Sequence, residues 1–156
     1  MTIKKILLII MILVTTGCGY QSLYSSNDKM NFSISEIKES GEKNINRKII
    51  SRLNLKKEND SIVKYNLTLD STKNEEIVSK DNSGNALTFK ISIQVNFVLT
   101  DVQDSSQVLK EKTFAANFTY NNSDNKFNLS QYNKIIEENL IEKISKDIII
   151  FLNSNV

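Results

Sequence analysis

Residues 87–99 carry the longest regular pattern in the chain, and this pattern constrains the fold more than any other. Every odd position of the range is apolar, beginning with Leu87 and ending with Leu99, and every even position is polar except Val98. A period of two places the apolar side chains on one side of an extended strand, whereas a helix would scatter them around its axis. At ~3.3 Å per residue the strand is roughly 43 Å long, so the rest of the domain must be arranged around it.

Shorter patterns on either side of this strand predict the remaining elements. Alternating apolar residues predict strands at 30–35, at 63–69 with a continuation at 77–78, and at 114–120. Apolar residues that recur every three or four positions predict helices at 45–53 and 130–152, with Ser130 as the expected N-cap of the second helix. The polar stretches between them are expected to be loops or turns, at 39–43, 71–76, 81–85, 101–107 and 121–126.

The order of these elements predicts an α+β fold. Amphipathic helices need an apolar surface to cover, and the alternating strands offer one apolar face. We therefore expect about four strands in a mostly antiparallel sheet, with two helices packed on one face, in the order β-α-β-β-β-α.

The amino-terminal residues have the pattern of a secretion signal. Lys4 and Lys5 precede nine apolar residues at 6–14, a run well short of the ~20 that span a bilayer as a helix. Small residues then lead to Cys18, the single cysteine of the chain. This arrangement is typical of a lipoprotein signal, in which 1–17 is removed and Cys18 receives a diacylglycerol and an N-acyl chain. A buried structural cysteine and an uncleaved membrane anchor are the alternatives.

Cleavage before Cys18 would leave a lipidated tether at 18–29 and a single domain at 30–156. The tether is polar and rich in turn-forming residues. Two or three acyl chains anchor a protein stably in a membrane, whereas one chain binds reversibly. Gly19 stands where Asp is associated with retention at the inner membrane, so the expected location is the outer membrane.

The residue types that the chain lacks exclude several kinds of chemistry. It has no histidine, which removes the Ser-His-Asp and Cys-His catalytic arrangements and the His-based zinc sites. Its four glycines do not form a phosphate-binding loop. We therefore expect a protein that is not an enzyme and that has no cofactor besides the acyl chains on Cys18.

The charge balance argues against nucleic acid as a partner. Of the 20 lysines and arginines, Lys4 and Lys5 lie within 1–17, so the mature segment carries 18 basic and 18 acidic side chains. A neutral domain has no general attraction to a polyanion. Partners are expected to recognise particular surfaces instead.

The sheet face opposite the helices is one such surface, because it is polar but carries few charges. One interpretation is an ordinary solvated face. The other is a surface that docks through hydrogen bonds against another polar wall, such as the polar lumen of a transmembrane β-barrel. The candidate barrel contacts are Ser92, Gln94, Asn96, Asn117 and Thr119.

The opening of the predicted mature chain, Cys-Gly-Tyr-Gln-Ser-Leu-Tyr at 18–24, resembles that of the alphaproteobacterial branch of the LptE family of lipopolysaccharide-assembly lipoproteins. Later segments are similar to this family in order and spacing. They correspond to its first helix, to two strand ends and to its closing helix, at 45–53, 99–101, 118–121 and 144–152.

The resemblance implies a protein that is not an enzyme. A member of this family is expected to insert as a plug into the lumen of the outer-membrane barrel LptD, to help that barrel assemble and to engage lipopolysaccharide. Cys18 would be the lipidation site. Exposed lysines would be candidates for the phosphates of lipid A, since ammonium groups bind phosphates as point charges; they are Lys80, Lys90, Lys110 and Lys112. Ordinary solvated surface is the alternative for each.

Two other functions remain open at this stage. One is a lipoprotein scaffold or chaperone of a different cell-envelope machine, which would have a fixed partner that is not a barrel. The other is an enzyme based on carboxylates alone, although no spacing of carboxylates in the sequence points to one.

We predict that the exported protein begins at Cys18 and carries its acyl chains there. Intact-mass measurement should show the loss of 1–17 and the addition of a diacylglycerol and an N-acyl chain. Cys18→Ser should abolish the addition, because a hydroxyl does not replace the thiolate as acceptor. An exported product with an unmodified thiol, or with 1–17 still attached, would contradict the prediction.

Overall fold

The computed structural model describes residues 33–55 and 63–154, and these form a four-stranded sheet with two helices. The elements are β1 (Ser33–Gly41), α1 (Lys43–Leu53), β2 (Lys64–Lys80), β3 (Ala86–Asp101), β4 (Val108–Asn121) and α2 (Lys126–Asn153). The predicted order β-α-β-β-β-α and the α+β class are confirmed. The predicted signal peptide, the tether and residues 30–32 of the predicted first strand lie outside the described residues.

The sheet has the strand order β1-β2-β3-β4. β1 is parallel to β2, and α1 makes the crossover between them. The pairs β2–β3 and β3–β4 are antiparallel. The sheet is therefore mostly antiparallel, as predicted, with one parallel edge strand.

The core lies between the sheet and the helices. The odd-numbered residues of β3 from Ile91 to Leu99 are all buried, and they face α1 residues such as Ile45 and Ile49 and α2 residues such as Ile144. Both helices thus cover the same face of the sheet, as the alternation in β3 predicts. None of the helices in 33–55 and 63–154 has the length and apolar character needed to cross a membrane.

β2 is a continuous strand of 17 residues, whereas the sequence predicts a break at 71–76. The prediction is wrong because it considers β2 alone. Each residue from Ser71 to Glu76 pairs with a residue of β3, from Val95 to Lys90. The long partner strand supplies the hydrogen bonds that hold these polar residues in extended form.

β1 leads into α1 almost without a loop, although the sequence predicts one at 39–43. The strand continues to Gly41, whose φ of +73° lies in the left-handed region. The next amide, of Glu42, donates a hydrogen bond to the carbonyl oxygen of Ser71 on β2 (3.0 Å). Gly41 therefore turns the chain sharply from the sheet edge into the helix layer.

α2 begins four residues earlier than the sequence predicts. Its N-cap is Asn125, not Ser130, since the Asn125 side chain accepts a hydrogen bond from the amide of Asn128 (3.0 Å). Asparagine and serine are similarly good caps. In the added first turn Leu129 packs against the core while Phe127 is 71% exposed, so the apolar residues of this turn have no regular spacing that extends the helix pattern.

Gly41→Ala should destabilise the fold more than Gly84→Ala. Both glycines have positive φ, but a Cβ at Gly41 would overlap the carbonyl oxygen of Ser71, while a Cβ at Gly84 meets open space. We expect a loss of roughly 3 kcal/mol in the free energy of unfolding for Gly41→Ala, against about 1–2 kcal/mol for Gly84→Ala from the left-handed conformation alone. Urea unfolding followed by circular dichroism measures both, and equal losses would contradict this account.

Candidate interaction surface

The five candidate barrel contacts lie together on the sheet face that no helix of 33–55 or 63–154 covers. Ser92, Gln94 and Asn96 follow one another on this side of β3, and their neighbours across β4 are Asn117, Ala115 and Thr113. Thr119 is the next residue of β4 on this side, opposite Lys90. The structure thus brings the predicted residues into one patch on two neighbouring strands, which we call the open face.

Several polar groups of the open face have no partner within the described part of the protein. The side chains of Ser92, Gln94, Asn117 and Thr119 make no hydrogen bond to other described residues, and Gln94, Asn117 and Thr119 are exposed. The exception in the patch is Asn96, which accepts a hydrogen bond from Thr113 (3.2 Å). Amides and hydroxyls that are exposed and unpaired can hydrogen-bond to water or to an approaching polar surface.

Charges on the open face are few and partly compensated. Lys90 forms an ion pair with Glu76 of β2 (3.0 Å), and Ser79 and Thr88 share a hydrogen bond close by (2.6 Å). A partner would therefore meet mostly neutral hydrogen-bonding groups in the centre of the face, around Gln94.

The four lysines proposed for lipid A phosphates do not converge on one place. Lys110 and Lys112 lie near the start of β4, on the helix side of the sheet, because their partners on β3 are Leu99 and Phe97. Lys80 ends β2 next to the β2–β3 turn, with Ala86 as its partner. Along β3, Ala86 and Leu99 are roughly 43 Å apart. One lipid headgroup therefore cannot contact lysines at both ends of the sheet. Binding of lipid A phosphates stays a prediction, made separately for the lysines at each end.

Lys110 has a structural role that the sequence does not show. Its ammonium group donates hydrogen bonds to the carbonyl oxygens of Phe151 (3.1 Å), Leu152 (3.3 Å) and Ser154 (2.8 Å) at the end of α2. The last carbonyls of a helix lack partners and carry partial negative charge, so a cation there is stabilising. Lys112 lies 5.3 Å from the centres of the Phe114 and Phe151 rings.

An ion-pair network on the helix side joins three elements, and no pattern in the sequence predicts it. Glu137 of α2 accepts hydrogen bonds from Lys73 of β2 (2.6 Å) and Lys48 of α1 (3.3 Å). Glu138 contacts Lys48 (2.6 Å) and Arg52 of α1 (2.9 Å). The basic residues clustered on α1 indicate that ion pairs could form there. Nothing in the sequence shows which acidic residues they contact.

The network lowers the pKa of both glutamates. Burial alone would raise the pKa of Glu137, but the hydrogen bond and charge of Lys73, together with Lys48, outweigh it and keep the pKa below 4.5. The pKa of Glu138 is lowered mainly by its hydrogen bond with Lys48, whose own pKa is raised in return. The charged forms are therefore the stable ones at neutral pH.

A groove of about 600 Å³ lies beside this network, between the start of α1 and the first half of α2. Its wall includes Lys126 and Lys134, which are not among the predicted contact residues, together with Asn133 and both glutamates. The mixed charge of the wall does not define one class of ligand.

The end of the sheet at the β2–β3 turn carries exposed apolar side chains. Ile77, Val78 and Leu87 are each about half exposed there, and Phe118 of β4 is 44% exposed. Tyr120 stacks on Phe89 nearby, with ring centres 5.7 Å apart. Burial raises the pKa of Tyr120 to about 12, and its hydrogen bond to Glu75 adds to the shift.

Comparison with known proteins gives one family match and several similar structures. A family model described as LptE, lipopolysaccharide-assembly, matches residues 31–152, which is well over half of the chain. A lipoprotein of Caulobacter crescentus has a TM-score of 0.53 at 14% identity, over 79% of this chain and 88% of that one. Lipoprotein B of Nitrosomonas europaea has a TM-score of 0.54 at 11% identity, over 78% and 84%. A minor lipoprotein of Acinetobacter baumannii has a TM-score of 0.51 at 15% identity, over 74% and 92%.

A search among curated protein sequences finds no match. The structural likenesses are all at low sequence identity, so they show a shared fold. The family model, by contrast, carries sequence information along nearly the whole described domain.

Glu137→Gln should destabilise the protein at neutral pH and matter less in acid. Because the folded pKa of Glu137 is lowered, its stabilising charge is fully present above pH 4.5 and is lost as the pH falls through the folded pKa. We expect a loss of about 1–2 kcal/mol in the free energy of unfolding at pH 7, which shrinks as the pH drops below 4.5.

The matched control for this prediction is Glu142→Gln. Glu142 is exposed, and its ion-pair partner within the described part of the protein is Lys146, one turn along the same helix (2.5 Å). Glu142→Gln should therefore lower the free energy of unfolding clearly less than Glu137→Gln does, as measured by urea unfolding at pH 7. Equal losses for the two variants, or a Glu137→Gln effect that persists unchanged in acid, would show that the network does not stabilise the packing of the helices on the sheet.

Proposed function

The chain belongs to the LptE family of lipopolysaccharide-assembly proteins, and we propose that it is an outer-membrane lipoprotein that plugs the lipopolysaccharide-export barrel LptD. It would help the barrel assemble and assist the passage of lipopolysaccharide into the outer leaflet. The family itself is one of lipopolysaccharide-assembly lipoproteins without enzymatic activity.

The observation that supports the barrel partnership is the open face. It is polar, nearly neutral at its centre, and rich in unpaired amides and hydroxyls such as those of Gln94 and Asn117. The lumen of a transmembrane β-barrel is lined by polar side chains because its strands alternate apolar residues outward and polar residues inward. Two such surfaces can exchange hydrogen bonds to water for hydrogen bonds to each other without burying isolated charges.

The position of the chain's first described residue is consistent with a lipid anchor at Cys18. Ser33 begins β1 beside Lys64, at the end of the sheet where β3 finishes at Asp101. The fourteen residues at 19–32 can span at most roughly 50 Å. The anchor therefore keeps this end of the domain within reach of the membrane surface while leaving the domain free to enter a barrel.

Lipopolysaccharide contact is a separate part of the proposal. Lys80 is exposed at the end of the sheet where the apolar side chains of Ile77, Val78 and Leu87 are also exposed. A cation next to apolar groups matches the chemistry of a phosphorylated lipid. Lys110 and Lys112 are weaker candidates, because their ammonium groups are engaged by α2 and by aromatic rings.

Photo-crosslinking from the open face should capture a large β-barrel. A photoreactive residue at Ser92 or Asn96, in the full lipidated chain in its own membrane, is expected to yield a crosslinked barrel identified by mass spectrometry. The matched control is Asn139, which is exposed on α2 on the opposite side of the domain; it should yield little or no barrel.

Two outcomes would overturn the proposal. One is equal capture from Ser92 and Asn139, which would mean that the open face is not the docking surface. The other is repeated capture of a fixed partner that is not a barrel, which would favour a scaffold or chaperone of another cell-envelope machine.

A further inference from the structure

The second half of β2 has a neighbouring strand on one side only. β1 pairs with β2 as far as Gly41 and Ser71, where the chain leaves the sheet for α1. Over residues 72–80, β2 has β3 on one side, and no other strand of the described residues lies along its opposite edge. This half of the sheet therefore ends in a free edge where β1 would otherwise continue.

The backbone of this free edge can accept another strand. The carbonyl oxygen of Ser71 points toward β1, since it accepts a hydrogen bond from the amide of Glu42 (3.0 Å). In an antiparallel pair such as β2–β3, the backbone groups of successive residues point alternately to either side. Lys73, Glu75 and Ile77 therefore direct their N–H and C=O groups away from β3.

The charged side chains along this edge do not block it. Charged side chains commonly protect a free edge against pairing with another strand. Here Lys73 is held on the helix side by its hydrogen bond to Glu137 (2.6 Å). Glu75 is held there by its hydrogen bond with Tyr120. The pairing with β3 becomes irregular after Ile77, so the regular free edge runs from Lys73 to Ile77 and suits a short segment.

The groove between α1 and α2 adjoins this edge, because Lys73 lies in its wall. The charges of the wall are mixed, but they are not equally available. Lys48 and Lys73 are both paired with Glu137. By contrast, Lys126 and Lys134 are exposed and form no ion pair within the described residues. The positive charges that remain free for a ligand are therefore those of Lys126 and Lys134.

A hydrogen-bond acceptor in the groove wall is also unused. The side-chain oxygen of Asn133 is buried and has no hydrogen-bond partner within the described part of the protein. A buried acceptor without a donor is unfavourable, and such groups in native proteins are normally satisfied. A ligand in the groove is therefore expected to bring a donor as well as negative charge.

We propose that an acidic, extended segment of another protein pairs with β2 from Lys73 to Ile77 and lies over the groove. The segment continues the line of β1. Successive side chains of a strand point to opposite sides, so every second side chain of the segment points to the helix side. Carboxylates at these positions pair with Lys126 and Lys134, and an N–H group of the segment donates to Asn133.

An acidic peptide fits these features better than the competing occupants do. The phosphate of a lipid matches the lysines, but it leaves the N–H and C=O groups of the free edge without partners. The chain's own residues 19–32 carry one acidic and one basic side chain, Asp28 and Lys29, so they bring no net negative charge. The experiment distinguishes all three.

Photo-crosslinking from two positions tests the proposal in the full lipidated chain in its own membrane. One variant carries a photoreactive residue in place of Ile77 at the free edge, and another in place of Ser130, which is exposed in the groove wall. Both should capture the same segment, and its sequence, determined by tandem mass spectrometry, should have net negative charge. Asn139, which is exposed on α2 outside the groove, should not capture it.

Removal of the free charges makes the test quantitative. Lys126→Gln combined with Lys134→Gln should lower the yield of the crosslink from Ile77 roughly tenfold, because two charge contacts are lost. Lys64→Gln combined with Lys143→Gln removes the same charge from exposed lysines outside the groove. This control pair should leave the yield unchanged.

A proline substitution tests the backbone pairing. Ile77→Pro removes one outward N–H group, and a proline is tolerated at a free edge. It should lower the yield of the crosslink from Ser130, whereas Ile77→Ala keeps the N–H group and should retain the yield. Circular dichroism of both variants checks that the fold is intact.

Several results would overturn the proposal. They are the lack of a common segment captured from Ile77 and Ser130, a captured segment without net negative charge, and capture of residues 19–32 or of a phosphorylated lipid instead. Yields that the lysine or proline substitutions leave unchanged would do the same. Crosslinking of Ser92 and Asn96 to a barrel does not depend on the groove, so failure here is distinguishable from failure of the proposed function.

Discussion

The pairing of β3 with a neighbour along both of its sides is the constraint on which the rest of the structure depends. Its residues pair with β2 from Ala86 to Asp101 and with β4 from Thr88 to Thr100. Every side chain of the sheet is thereby assigned to one of two faces, because a shift of one residue would turn all the apolar side chains outward. The helices, the ion-pair network and the open face are consequences of that assignment.

The two faces are held by different kinds of interaction. The helix side combines apolar burial with charged contacts between α1, α2 and β2, centred on Glu137 and Glu138. The open face makes few contacts within the described protein, so a partner can bind there without displacing anything that the fold needs. A binding surface separated from the core in this way can change in sequence while the fold remains.

Local patterns predict this fold well where one residue's role follows from its neighbours in sequence. The alternation in β3 predicts the core, and the element order predicts the α+β class with both helices on one face. The strand order and the parallel pairing of β1 with β2 do not follow from these patterns. The family resemblance, carried by short segments, is confirmed by the match over 31–152. Cys18, the signal and the roles of the predicted contact residues remain predictions.

What the sequence does not predict depends on partners far away in the chain. The polar residues 71–76 stay in β2 because β3 lies beside them, and Gly41 turns the chain because Ser71 is its neighbour. Lys110 looks like a surface lysine until α2 ends next to it. β1 and β4 begin and α2 ends at one end of the sheet, and the β2–β3 turn forms the other end. Two probes, one attached after α2 and one on Asn82, would therefore lie roughly 50 Å apart along the strands, and comparing them would report how the domain is tilted relative to any surface it binds.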